Sequence, residues 1–185
     1  MQKNSVMSTI QVHDKSFIPY LSEEEIIGKV KQLAQTISQD YRDKRPLFIS
    51  ILNGSFMFSA DLFKFLTIEA EICFIKLASY KGTKSSGQVI TAIGLDTDIT
   101  GRNIIILEDI IDTGKTINQF LPQVYNQQPS SLKIAVLLHK PEATIYPVTI
   151  DYTCFSIPDK FVVGYGLDYN GLGRNLSQLY QLKED

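Results

Sequence analysis

The sequence predicts an α/β fold, a parallel core sheet flanked by helices, and three observations carry that expectation. Short, nearly continuous apolar runs recur at residues 47–52, 72–77, 104–107 and 132–138. Segments with helical spacing of apolar residues stand beside them, at residues 22–39, 57–66 and 116–125. The runs are apolar on both faces, as strands are when helices cover a parallel sheet from either side. In such sheets ligands settle in the crevice beyond the carboxyl ends of the strands, so chemistry is sought in the residues just past each run.

The N-terminal elements come first. Ser22-Glu23-Glu24-Glu25 matches a capping box, and Ile26, Ile27, Val30, Leu33, Ala34 and Ile37 continue at helical spacing. Arg42 to Pro46 closes that helix, and Leu47-Phe48-Ile49-Ser50-Ile51-Leu52 begins the sheet. Asn53-Gly54-Ser55 is a turn signal before the next helix. Residues 79–91, opening Ser79-Tyr80-Lys81-Gly82, are rich in glycine, serine and lysine. They read as a mobile loop, serving either as a surface hairpin connection or as a lid over a substrate.

Composition narrows the function. A chain of 185 residues with 44% hydrophobic and 21% charged residues suits one domain over residues 1–185 with one well-buried core. A net charge of −2 gives no footprint for a polyanion, so no nucleic-acid partner is expected. Cys73 and Cys154 each lie in an apolar run, the pattern of reduced buried thiols and a cytoplasmic setting. The first 15 residues lack the apolar centre of a signal peptide, and no apolar run nears the ~20 residues of a membrane helix. Neither export nor a membrane is expected.

One segment concentrates the chemistry. After Ile104-Ile105-Ile106-Leu107 the chain reads Glu108-Asp109-Ile110-Ile111-Asp112-Thr113-Gly114-Lys115-Thr116. Glu108 and Asp109 are acceptors suited to sugar hydroxyls or a hydrated Mg²⁺. Thr113, Gly114, Lys115 and Thr116 supply hydroxyls, close backbone approach and amides opening onto a helix, where a phosphate is favoured. Gly114-Lys115-Thr116 also matches the end of a nucleotide-hydrolase P-loop. That motif requires glycine where Asp109 stands, and a carboxylate there would repel the phosphates.

Residues 105–116 resemble the phosphoribosyl-pyrophosphate signature of type I phosphoribosyltransferases, in the form seen in the hypoxanthine-guanine enzymes. Leu52-Asn53-Gly54-Ser55 resembles the family's pyrophosphate-binding turn, and Ser79-Tyr80 opens a loop at the position of its flexible lid. Lys140, and then Ile157-Pro158-Asp159-Lys160-Phe161-Val162-Val163-Gly164-Tyr165-Gly166-Leu167-Asp168-Tyr169, are similar to the purine-binding segments, with Arg174 shortly after.

That resemblance implies a purine salvage enzyme that makes IMP and GMP from phosphoribosyl pyrophosphate and a 6-oxopurine base. It implies Asp112 as general acid/base, and Asn53, Gly54, Glu108, Asp109, Asp112, Arg174 and residues 113–116 as the phosphoribosyl pyrophosphate site. Lys140, Phe161, Val162 and Asp168 would form the purine site, and Glu108, Asp109 and Asp168 the Mg²⁺ site. Asn53 stands where the family often carries lysine, and a non-proline cis peptide is implied at Leu52-Asn53. The family fold adds a small hood, from about residues 1–20 and 147–185, and a homodimer or homotetramer. A phosphoribosyl-pyrophosphate-sensing regulator on the same scaffold is the rival reading, disfavoured by Asp112, Lys140 and Phe161.

Overall fold

In the computed structural model, which describes residues 9–79, 89–93 and 96–184, the chain forms two sheets. Strands β1 (Ile10–Val12) and β2 (Lys15–Leu21) come first, followed by helix α1 (Glu23–Asp40). Then come β3 (Leu47–Leu52), α2 (Phe56–Phe65), β4 (Glu71–Ser79) and β5 (Val89–Ile93). Next are β6 (Asn103–Ile111), α3 (Lys115–Tyr125), β7 (Ser131–His139) and β8 (Tyr152–Ser156). Short β9 (Val162–Val163) and β10 (Leu179–Leu182) complete the order.

The larger sheet runs β5-β4-β3-β6-β7-β8, parallel except for β5 at one edge. α1 starts at Ser22, whose hydroxyl accepts from Glu25 N while the Glu25 carboxylate accepts from Ser22 N. Its buried stripe of Ile26, Val30, Leu33, Ala34 and Ile37 joins Phe58 and Leu62 of α2 against one face of the sheet. Ile117, Phe120 and Val124 of α3 cover the other face, on Ile104, Ile106 and Ile134. The strands are buried on both faces, which explains their continuous apolar runs.

From β3 the chain crosses toward β4, and from β6 it crosses the opposite way toward β7. The carboxyl ends of β3 and β6 therefore flank the point where the winding reverses, where a crevice opens in this architecture.

The smaller sheet, β1-β2-β10-β9, is antiparallel and pairs the two ends of the chain, with Leu182 opposite Phe17. Its C-terminal share starts later than the expected residue 147. β8 pairs in parallel with β7 and so belongs to the core sheet, and the small sheet takes up the chain only at Val162. The segment from residue 79 to 91 is not loop throughout, because Ser79 ends β4 and pairs with Val89 of β5. Tyr80 lies outside the described residues.

Candidate active site

Strand β6 extends through Ile111, so Glu108 and Asp109 lie within its last pleats rather than after it. Glu108 is 7% exposed, and its Oε2 finds no hydrogen-bond partner among the described residues. Burial pushes its carboxyl well above the usual range, and the neighbouring Asp109 charge adds to the effect. Burial likewise raises Asp109 to about 6, against the pull of backbone hydrogen bonds and the Arg174 charge. Burial disfavours the charged form of both carboxyls, and Glu108 Oε2 has in addition no donor among the described residues.

The turn after β3 is locked behind these carboxylates. Leu52-Asn53 is a cis peptide, as the resemblance implies. A Cβ on Gly54 would stand 1.7 Å from Asp109 Oδ2, so only glycine fits there without displacing that carboxylate. Below the turn, Ser50 Oγ lies 2.7 Å from both Ser55 Oγ and Ser59 Oγ, a buried hydroxyl network that ties β3 to α2.

Beyond Ile111 the chain turns sharply. Asp112 and Thr113 are exposed, and Gly114 adopts φ +80° to start α3 at Lys115. Residues 108–117 line a cavity of about 250 Å³. A second cavity, of about 210 Å³, is lined by Lys140, Phe161, Val162, Leu167 and Asp168, and it shares Asp109, Ile110 and Asp112 with the first. Asp109, Ile110 and Asp112 are thus the common wall of the two cavities.

Lys140 is 6% exposed, and its ammonium lies 3.3 Å from Asp112 Oδ2 and 3.0 Å from Asp159 Oδ1. The buried cation is therefore paired, as burial requires. Phe161 is 45% exposed rather than buried as a core strand residue would be. Its ring meets Tyr169 edge to face at 5.8 Å and leans on Phe17, while Val162 beside it is buried. Arg174 spends its fork internally: Nη2 pairs with Asp168 Oδ1 at 2.5 Å and Nη1 donates to Gly166 O. Asp168 Oδ2 in turn accepts from Gly171 N.

The crevice thus brings together the carboxyl end of β6, the turn after β3, Lys140 and residues 161–168. Asp159, which anchors Lys140, and Tyr169, which backs Phe161, join the site without having been expected there. Both stand inside the purine-binding segment quoted above, which was the available signal, although neither was singled out within it. No group of three or more His, Cys, Asp or Glu side chains converges as a metal cage among the described residues. Glu108 Oε2, beside Asp109 and unpartnered among the described residues, is a hard oxygen donor of the kind Mg²⁺ takes, with one or two protein carboxylates and with water and substrate oxygens completing the shell.

The crevice lies at the winding reversal of a type I phosphoribosyltransferase fold. Residues 20–170 match the family described as the phosphoribosyl transferase domain, and the chain belongs to that family. Within it, the hypoxanthine-guanine phosphoribosyltransferase of Streptococcus pyogenes serotype M3 is 44% identical over 165 residues, covering 89% of this chain and 92% of that one. A crystal structure of a hypoxanthine-guanine phosphoribosyltransferase from Bacillus anthracis superposes with a TM-score of 0.83 at 38% identity, covering 88% of this chain and 96% of that one. The Trypanosoma cruzi hypoxanthine phosphoribosyltransferase in a ternary substrates complex gives 0.84 at 38% identity, covering 89% and 94%. The chain is a phosphoribosyltransferase enzyme, and the regulator reading finds no support among these relatives.

Proposed function

We propose that the protein is a purine salvage enzyme that transfers the phosphoribosyl group of phosphoribosyl pyrophosphate to hypoxanthine or guanine, forming IMP or GMP and pyrophosphate. The observation that carries this is the pair of cavities that meet at Asp112, one faced by the phosphate loop and the other by a buried lysine.

The reaction forms a bond between a purine imidazole nitrogen and the anomeric carbon and breaks the bond from that carbon to pyrophosphate, which leaves with the electron pair. The amides and hydroxyls of Thr113, Gly114, Lys115 and Thr116 hold the 5′-phosphate at the start of α3. Glu108 and Asp109 accept from the ribose hydroxyls, and Asn53, Gly54 and Arg174 face the pyrophosphate. With Asn53 uncharged, that turn contributes backbone amides rather than a cation. Of Glu108, Asp109 and Asp168, one or two would hold Mg²⁺ together with water and substrate oxygens, and the chemistry it would supply there is neutralisation of the departing pyrophosphate.

On the other side of Asp112, Phe161 offers a ring face to the base and Val162 its backbone groups. The Lys140 ammonium has three protons, of which Asp112 and Asp159 engage two. The third is free to donate to a 6-oxo group, which adenine lacks. The Asp112 carboxylate is placed to take the imidazole proton as the new bond forms.

Lys140 tied to two carboxylates also explains how a buried cation is kept in this pocket before the base arrives. A cytoplasmic setting accords with the two free thiols, Cys154 being buried and raised to about 12. Exposed Phe56 and Phe74 are compatible with a homodimer or homotetramer, and a monomeric mass in light scattering would remove that part.

The test is nucleotide formation from phosphoribosyl pyrophosphate and Mg²⁺ with hypoxanthine, guanine, xanthine or adenine offered separately, beside Asp112→Asn. IMP and GMP without AMP are expected, with the variant slower by about 10²- to 10⁴-fold. Binding of phosphoribosyl pyrophosphate with no nucleotide from any base would sink the reading.

A further inference from the structure

A loop that cradles a phosphate must turn its N–H groups inward, and its carbonyls, which repel an anion, must be occupied elsewhere. The segment between β7 and β8 supplies that occupation. Thr144 Oγ1 donates toward Asp112 O at 3.0 Å, and Ile145 N and Tyr146 N both donate to Thr113 O at 3.0 Å. Asn118 Nδ2, one turn into α3, donates to Pro147 O at 3.1 Å and ties the same segment to the helix that the loop begins. The two chains touch at backbone level, since a Cβ on Gly114 would stand 2.7 Å from Tyr146 O and 3.6 Å from Thr144 Cγ2.

Thr144 is the side chain of this brace that reaches both halves of the crevice. Its hydroxyl is also 2.9 Å from Lys140 O, in the residue that faces the base, and 3.2 Å from His139 Nε2. A hydroxyl has one proton and two lone pairs. The proton is shared between the carbonyls of Asp112 and Lys140, while the imidazole donates to the oxygen when Nε2 carries the hydrogen. Thr144 is half-buried, and its hydroxyl meets only polar groups of the loop and of the end of β7.

We infer that Thr144 is a positioning residue, which by holding the carbonyl of Asp112 turned outward sets the phosphate loop for phosphoribosyl pyrophosphate and registers it against Lys140. The inference rests on the proposed function and deepens it, because nothing in the motif at residues 108–116 points to this partner.

Thr144→Val keeps the shape of the side chain and removes the hydroxyl, and Thr144→Ser restores the hydroxyl. Calorimetric Kd for phosphoribosyl pyrophosphate and steady-state KM for each substrate are measured on both variants and on the wild type, with Tm as the control for folding. The valine variant is expected to bind phosphoribosyl pyrophosphate about five- to tenfold more weakly. The KM for hypoxanthine should stay within about twofold and the serine variant should return to wild type. A valine variant with unaltered affinity, or a serine variant as weak as valine, overturns the inference while wild-type turnover keeps the proposed function standing. If Thr144→Val does not fold, Thr144→Ala against Thr144→Ser gives the same comparison. A wild type that neither binds phosphoribosyl pyrophosphate nor turns over removes the proposed function, and this inference with it.

Discussion

The two halves of the crevice are built in opposite ways. The phosphate side is one stretch, residues 108–117, in which consecutive residues end a strand, make a turn and start a helix. The base side is assembled from Lys140 at the end of β7, Asp159 in the connection after β8, and Phe161 to Asp168 around β9. Contiguous sites depend on local backbone geometry, whereas assembled sites depend on tertiary pairing. Substitutions in the two halves should therefore fail differently, the first through phosphoribosyl pyrophosphate and the second through the base.

Apart from Asp112, which both halves share, the largest effect is expected at Gly54→Ala. The new methyl would overlap the Asp109 carboxylate, at 1.7 Å from Oδ2 and 2.3 Å from Cγ, so the turn or Asp109 must move by more than an ångström. Displacements of that order cost about 10²-fold in rate. The loss should appear in kcat/KM for phosphoribosyl pyrophosphate, and a variant with full activity would show that Asp109 is not held by this turn.

Lys140→Ala probes the other half. Removing a charged donor to the base should lower kcat/KM for hypoxanthine by about 10- to 100-fold, with phosphoribosyl pyrophosphate binding unchanged by calorimetry. Discrimination against adenine should shrink with it. Equal losses for both substrates would break the comparison, because they would mean that the Lys140 to Asp112 contact ties the halves into one unit.

The same contrast explains what could be read from the chain alone. β3, β4, β6 and β7 and the three helices follow from apolar runs and apolar period, with a capping box besides at α1, because each is decided by neighbours within a few residues. Residues 108–116 were legible for that reason. The small sheet was expected only as a hood, and only through family resemblance, since its strands are two to seven residues long and pair residues far apart in the sequence, as Tyr180 does with Pro19. β8, five residues of mixed polarity, was noticed only as the apolar setting of Cys154 and not as a strand of the core sheet, so the C-terminal hood was expected to start too early. Asp159 and Thr144 carry no motif of their own: one is set by the ammonium it meets, the other by two carbonyls in separate segments.

A smaller effect belongs to Asp159→Asn, which keeps the shape of the side chain and removes the charge that holds Lys140 at 3.0 Å. Asp159 is 61% exposed, so the pair is screened and the change in hypoxanthine KM should be only about two- to fivefold. Because Asp112 remains to hold Lys140 at 3.3 Å, kcat should move less than KM. If the KM for phosphoribosyl pyrophosphate moves as far as that for hypoxanthine, Asp159 acts on the whole crevice rather than on the assembled half.

The smallest effect lies far from both halves, at Ser22→Ala, where the capping box of α1 loses its hydroxyl acceptor for Glu25 N. Loss of an N-cap in a chain of this length should lower Tm by roughly 2–4 °C and leave both KM values alone. Acid supplies the sign. Hydrogen bonds from the Ser22 hydroxyl and then its backbone hold the Glu25 carboxyl below its ordinary value of 4.5 in the folded chain. The unfolded chain therefore takes up that proton first as pH falls, so the contribution is whole above 4.5 and fades below it. The Tm gap between wild type and Ser22→Ala should be full at neutral pH and narrow below that value. A gap that is constant across the range would assign the cap to the hydroxyl and Glu25 N alone, with the carboxylate a bystander.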